Sequence, residues 1–335
     1  MSTIKVNAIE STSSGGVAAK IASINDGGIS NRNLLINSSF EIWQRGTTFA
    51  SGASGGNRYT ADRWSVPRRT RVARSTDVPA GFKYAILLDR EQTGGAEAFT
   101  VSQGIEKENI RFTGSYTLSF YAKSSDISTV NINVQDRTTV SEGGTNHSSI
   151  VTNQAVSITS SWARYTHTFT LSSASLTGTC LRISIGNTSA SQNDELLLTG
   201  IQLETGTIAT DIEKRTFGHE VLLCQRFYES NMGPNGPVTT TDGSISSQWS
   251  YMGSQDSSTL LASTGVIYKA TKRASPTVTI YNPSNTATAS RANSEGSEKT
   301  VTAVYGGINA AGRIYVSGCS AGDFVTYNWE AQAEL

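Results

Sequence analysis

The chain has 335 residues, 27 Lys plus Arg against 27 Asp plus Glu, and only 16% charged residues, where an ordinary globular protein carries about 25%. A net charge of zero with no long basic stripe argues against phosphate tracking along nucleic acid, and no run of about 20 apolar residues exists to span a membrane. The length exceeds one average domain, so two folded units, or one large β unit plus a smaller one, are expected.

Residues 1–32 read as a separate segment. Ile4 to Ile9 alternates like one short strand, Ser13 to Gly16 interrupts it, and Asp26-Gly27-Gly28 closes the segment. It is too small to bury a core alone, so it is expected either to dock onto another chain or to stay flexible. The stretch Met1 to Lys20 lacks the apolar centre of a signal peptide.

Residues 33–215 read as strands. Leu34-Leu35-Ile36 opens the series. Tyr84–Leu88, Phe99–Gln103, Tyr116–Ala122, Val130–Val134, Trp162–Phe169, Cys180–Ile185 and Glu195–Leu203 follow. Tyr116–Tyr121 and Ala163–Thr170 alternate with period two. Strands at this spacing without intervening helices imply a β-sandwich or jelly roll. The basic cluster Arg63, Arg68, Arg69, Arg71 and Arg74 suits a solvated strand face or ion-pair donors.

Residues 216–335 begin with one helix, expected over 216–230, with Thr216 as its cap and Glu220 near its positive end. Phe217, Val221, Cys224 and Tyr228 fall on one face. That face packs either on the following β unit or on copies of the chain around a threefold axis. Gly233 to Pro237 stops the helix. Strands return at Ser247–Gly253, Thr264–Ala270, Thr277–Tyr281, Thr300–Tyr305, Ile314–Ser317 and Phe324–Ala331, forming a second β-sandwich at the tip.

The chemistry-bearing residues are sparse. Cys180, Cys224 and Cys319 are odd in number and widely spaced, which indicates neither a disulfide framework nor a zinc site. His147, His167 and His219 accompany no nucleophile elbow. Asp62, Asp89, Glu91, Asp194 and Glu195 could be paired for glycan cleavage, but no internal repeat of a β-helix depolymerase is present. Sugar binding needs aromatic platforms with polar neighbours. Trp43 and Trp64 read as core, whereas Trp249, Tyr251, Tyr268 and Tyr281 in the distal unit are the candidate glycan contacts.

Four stretches carry a resemblance. MSTIKVNAIESTSSGG is similar to the opening of tail-fibre and other structural proteins of marine and cyanobacterial phages. NLLINSSFEIWQRGTTF with YTADRW resembles the start of a carbohydrate-binding-module-like jelly roll in phage tail proteins. GIQLETGTIATDIEKRTFGHEVLLCQRFY resembles its exit and the helix that follows. KRASPTVTIYN and WEAQAEL resemble the C-terminal domain of the same proteins. The resemblance implies a virion appendage and does not imply a reaction, so the chain is expected to be non-enzymatic; free thiols fit folding in a reducing host cytoplasm. It further implies a homotrimer, for which the helix face of Phe217, Val221, Cys224 and Tyr228 supplies the interface candidates. Residues 1–32 would join other tail proteins, and a host-surface glycan would be the distal partner. In jelly rolls of this kind two carboxylates share a structural calcium, and Glu41 and Glu204 occupy comparable places; the alternative is that they pair with Arg45, Arg63 or Arg215. Two other functions remain open, a purely architectural virion part and a carbohydrate-binding or depolymerase protein.

Overall fold

The computed structural model describes residues 23–24, 27–28, 31–52, 56–91, 97–110, 112–139, 146–172, 177–231, 248–251, 259–262, 266–282, 289–292, 297–318 and 324–335. Most of segment 1–32, and with it the docking expectation, lies outside the described residues. Asn31 and Arg32 are held against the end of the first module, by the Glu213 carboxylate and the Asp211 carbonyl.

The first module is a sandwich of two six-stranded antiparallel sheets. One runs Asn146–Ser157, Thr129–Arg137, Cys180–Ala190, Glu97–Glu106, Ser65–Pro67, Asn57–Tyr59; the other runs Ala163–Leu171, Gly114–Lys123, Glu195–Thr205, Ala85–Asp89, Arg71–Ser75, Thr48–Phe49. The chain crosses repeatedly between the sheets, which is the jelly-roll arrangement. Period-two alternation sets the faces: Val130, Ile132 and Val134 are fully buried while Asn131, Asn133 and Gln135 between them stay half-buried. Each buried aliphatic side chain contributes about 1.5–3 kcal/mol.

Leu34 to Ile36 form no strand. Residues 33–44 are a buried irregular segment whose backbone is paired by amide side chains, as a buried loop requires. The Asn33 side-chain oxygen accepts from the Leu35 and Leu203 amides, and its nitrogen donates to the Ile201 carbonyl. The Gln103 side chain bonds both the amide and the carbonyl of Ile36, at 2.8 Å each. Asn37, in the left-handed region at φ 56, donates to the carbonyls of Ile42 and Asp62 and accepts from the Ile42 amide. Trp43 and Trp64 are core residues, with their indole nitrogens donating to the carbonyls of Phe40 and Asn37.

The helix spans Phe217–Gln225, shorter than the expected 216–230. It ends because Phe227 turns into the junction between modules, leaving Tyr228–Ser230 to pair as a strand with Glu330–Gln332. Thr216 is extended at the N-cap without a side-chain capping bond; Glu220 instead accepts from the Asn37 amide and pairs with Arg215. Tyr228 is therefore not a helix residue. It and Cys224 are buried in their own chain, whereas Phe217 is 51% exposed.

In the second unit nine strands join one antiparallel network through the long strand Phe324–Gln332. That strand pairs Tyr228–Ser230 and Thr277–Tyr281 along one half and Gln248–Tyr251 and Ala289–Ala292 along the other. Val266, Tyr268, Ile280, Ile314, Val316, Tyr327 and Trp329 share its core.

Candidate functional site

The junction between modules is charged, aromatic and buried. Arg63 pairs with Glu334, their side chains 1% and 3% exposed, and donates to the Gly104 carbonyl at 2.6 Å. Its guanidinium lies 3.5 Å from the centre of the Phe227 ring, as Arg45's does over Tyr228, within cation–π range. Arg45 adds ion pairs to Glu334 at 3.2 Å and Asp62 at 3.9 Å. The Tyr59 hydroxyl donates to the Leu335 carbonyl, and Gln44 donates to that of Tyr228. Burial pushes the Asp62 carboxyl up to about 6, although Arg45 and the Gln44 bonds oppose the shift. Outside this core, Arg226 pairs with Glu106 at 2.9 Å.

Of the predicted glycan contacts, Tyr268 is buried, its ring 5.9 Å from Trp329 and 4.6 Å from the Lys272 ammonium, and burial raises its hydroxyl to about 12. Tyr281 is half-buried; it and Tyr228 donate to the two oxygens of Glu330, at 2.7 and 2.8 Å. Both predicted tyrosines thus serve the module's own packing. Trp249 and Tyr251 lie on the strand Gln248–Tyr251, but their side chains fall outside the described residues.

The exposed aromatics stand elsewhere. Strands Ser297–Gly306 and Ala310–Ser317 form a hairpin in which Tyr305 faces Arg313, with a register shift next to Gly306. Alternation buries Ile314 and Val316 and turns Arg313 and Tyr315 outward. Tyr305 is 61% exposed, and its ring meets that of Tyr315 edge-on at 5.7 Å and 79°. With Arg313, Gly306, Gly307 and Gly312 the two rings line an open hollow of about 580 Å³. The Tyr268 hydroxyl lies beneath Gly306, where a Cβ would come within 3.4 Å of it. Sequence reasoning missed this pair, although two tyrosines flank the glycine-rich run GGINAAGR.

The two carboxylates expected at calcium have separate surroundings. Glu204 accepts from Gln202 and from the amide and hydroxyl of Thr210, so both its oxygens are engaged. Glu41 makes no hydrogen bond or ion pair among the described residues. The arginines expected to pair with them serve Glu334, Asp62 and Glu220 instead. Among the described residues no group of three or more His, Cys, Asp or Glu side chains is placed to hold a metal.

His167 stacks on Phe169, and burial lowers its pKa. His219 is exposed on the helix, and the His147 side chain lies outside the described residues. Asp89 and Glu91 both pair with Arg71. Cys180 and Cys224 are free and buried; burial raises the Cys180 thiol to about 11.

No family model and no curated protein matches the sequence. Among solved structures, the chain is similar to the CBM22-1 xylan-binding domain of Paenibacillus barcinonensis Xyn10C, at 16% identity and TM-score 0.33, over 48% of this chain and 99% of that one. It is similar to TmCBM61, solved with beta-1,4-galactotriose, at 17% identity and TM-score 0.32, over 52% and 100%. It is also similar to the enzymatically active domain of bacteriophage CBA120 tailspike protein 4, at 14% identity and TM-score 0.33, over 51% and 21%.

Proposed function

We propose that this chain is a non-enzymatic component of a bacteriophage appendage, a tail fibre or spike, that binds a host-surface glycan through its second module. The observation that carries the glycan reading is the Tyr305–Arg313–Tyr315 hollow. One exposed and one half-buried tyrosine ring offer apolar faces to a pyranose, and the exposed Arg313 guanidinium supplies donors to its oxygens. Tyr268 beneath Gly306, with the Tyr268 and Lys272 amides donating to the Asn309 and Ile308 carbonyls, holds that surface in place before a ligand arrives, which lowers the ordering cost of binding.

In this reading residues 1–32 dock the chain on the virion, and copies associate as a homotrimer around the exposed Phe217 and the half-buried Val221 of the helix. Three weak sites on one fibre gain by effective concentration. The test is competition: purified protein should block adsorption of the phage to its host, and Tyr305→Ala protein should not.

A second reading, a purely architectural virion part, is favoured by where the resembling residues fall. Asp62, Arg63, Arg226, Tyr228 and Glu334 all lie in those stretches and all build the junction, not the hollow. Equal failure of wild-type and variant protein to block adsorption selects this reading.

A further inference from the structure

The first module has a recess of about 290 Å³, bordered on one side by Ser38, Ser39 and Glu41 and on the other by Phe82 and Lys83. It lies at the small end of the about 300–1,000 Å³ range of ligand pockets. Its aromatic wall is built in advance. Gly200, at φ +57, has no Cβ where the Phe82 ring sits; a Cβ there would come within 2.6 Å of it. Tyr121 backs the same ring at 5.1 Å. The turn carrying Phe82 is tied by its amide to the Pro79 carbonyl and by Lys214, which donates to the Gly81 carbonyl at 2.6 Å. The opposite wall is fixed by two left-handed residues, Asn37 and Phe40, at φ 56 and 53, and by the three side-chain bonds of Asn37.

The charges around the recess cancel: Glu41, Glu213 and Glu220 against Lys83, Lys214 and Arg215. Four of the six are committed. Glu213 accepts from the Asn31 and Asn33 amides, Glu220 from that of Asn37, Lys214 holds Gly81, and Arg215 donates to the carbonyls of Leu35 and Asn33. Glu41 and Lys83 are not. Glu41 bonds to nothing among the described residues, and Lys83 lies only 5.2 Å from the centre of the Tyr84 ring. We propose that this recess binds a single neutral sugar ring, its apolar face on Phe82 and its hydroxyls donating to Glu41 and accepting from Lys83. Balanced charge disfavours an ionic ligand, and a spare acceptor and donor beside a fixed aromatic ring match a polyol ring. The site deepens the glycan reading but does not use the Tyr305 hollow.

Saturation-transfer NMR on the full chain tests it, with the methyl glycosides of glucose, galactose, mannose and N-acetylglucosamine as probes. At least one should give transfer. Its affinity should fall about tenfold or more in Glu41→Gln and in Phe82→Leu and stay unchanged in Tyr305→Ala. If Phe82→Leu fails to fold, Glu41→Gln alone decides. Transfer from none of the four, equal affinity in Glu41→Gln, or tighter binding of glucosamine or glucuronate would overturn the proposal. Loss in Tyr305→Ala alone would assign the binding to the other module and sink this site while sparing the function.

Discussion

Arg63 and Glu334 lie 271 residues apart in sequence and form an ion pair that solvent hardly reaches. The pair joins a turn of the first module to the last strand's extension, so neither module completes its surface without the other.

Removing Arg63 leaves the buried Glu334 carboxylate with Arg45 as its one remaining charge partner among the described residues, a loss toward the lower end of the about 3–5 kcal/mol that breaking a buried pair costs. Arg63→Met should therefore lower the urea midpoint strongly, and Arg63→Met with Glu334→Leu should recover part of the loss. Calorimetry of the wild type should show both modules melting in one transition. Two separate transitions, or additive effects of the two substitutions, would show that the modules are only tethered.

Asp62 gives the junction a pH dependence. Burial holds its folded pKa at about 6, above the ordinary value of 3.8, so the folded chain binds the extra proton between these values. The stability contribution is complete below the lower value and is lost as pH rises through about 6. Arg45 and Glu334 face the same carboxyl and are present in both proteins compared. Asp62→Asn, which keeps an oxygen for the Gln44 amide, should flatten the stability profile across this window relative to wild type. Parallel urea-midpoint profiles for the two proteins would contradict the assignment.

Asn37 tests how the buried irregular segment is held. Asn37→Gly tolerates the left-handed backbone but removes the side-chain bonds to Ile42 and Asp62, and unpaired buried groups cost about 1–3 kcal/mol each. The glycine variant should melt well below wild type. A melting temperature within a degree or so of wild type would mean that backbone conformation, not amide pairing, is what the position requires.

The long strands could be read because their alternation is carried by apolar side chains, as at Val130–Val134 and Ala163–Thr170. Thr48–Phe49, Asn57–Tyr59 and Ser65–Pro67 are too short to show a period. Asn146–Ser157 escaped notice because an edge strand in HSSIVTNQAVS presents mostly polar residues. The sequence predicts too long a helix because Tyr228 continues the four-three-four spacing; the signal that breaks it is tertiary, Phe227 under the Arg63 guanidinium. Tyr268 and Tyr281 are chemically the same as Tyr305 and Tyr315, and composition cannot separate them. Parity could have placed Tyr315, since Ile314 and Val316 on either side claim the inward face. Nothing local indicates that Tyr281 is tied to Glu330, 49 residues away.

The hollow itself is expected to be stability-neutral. Tyr305 is exposed, so Tyr305→Ala should shift stability by no more than about 0.5 kcal/mol. The most direct test of the account is binding of wild-type and Tyr305→Ala protein to an array of bacterial surface polysaccharides, with melting temperatures taken on the same samples. The account predicts a wild-type signal that falls strongly in the variant at unchanged melting temperature, any remainder being lost when Glu41→Gln is added. Equal binding by both proteins, or binding by neither, would contradict it.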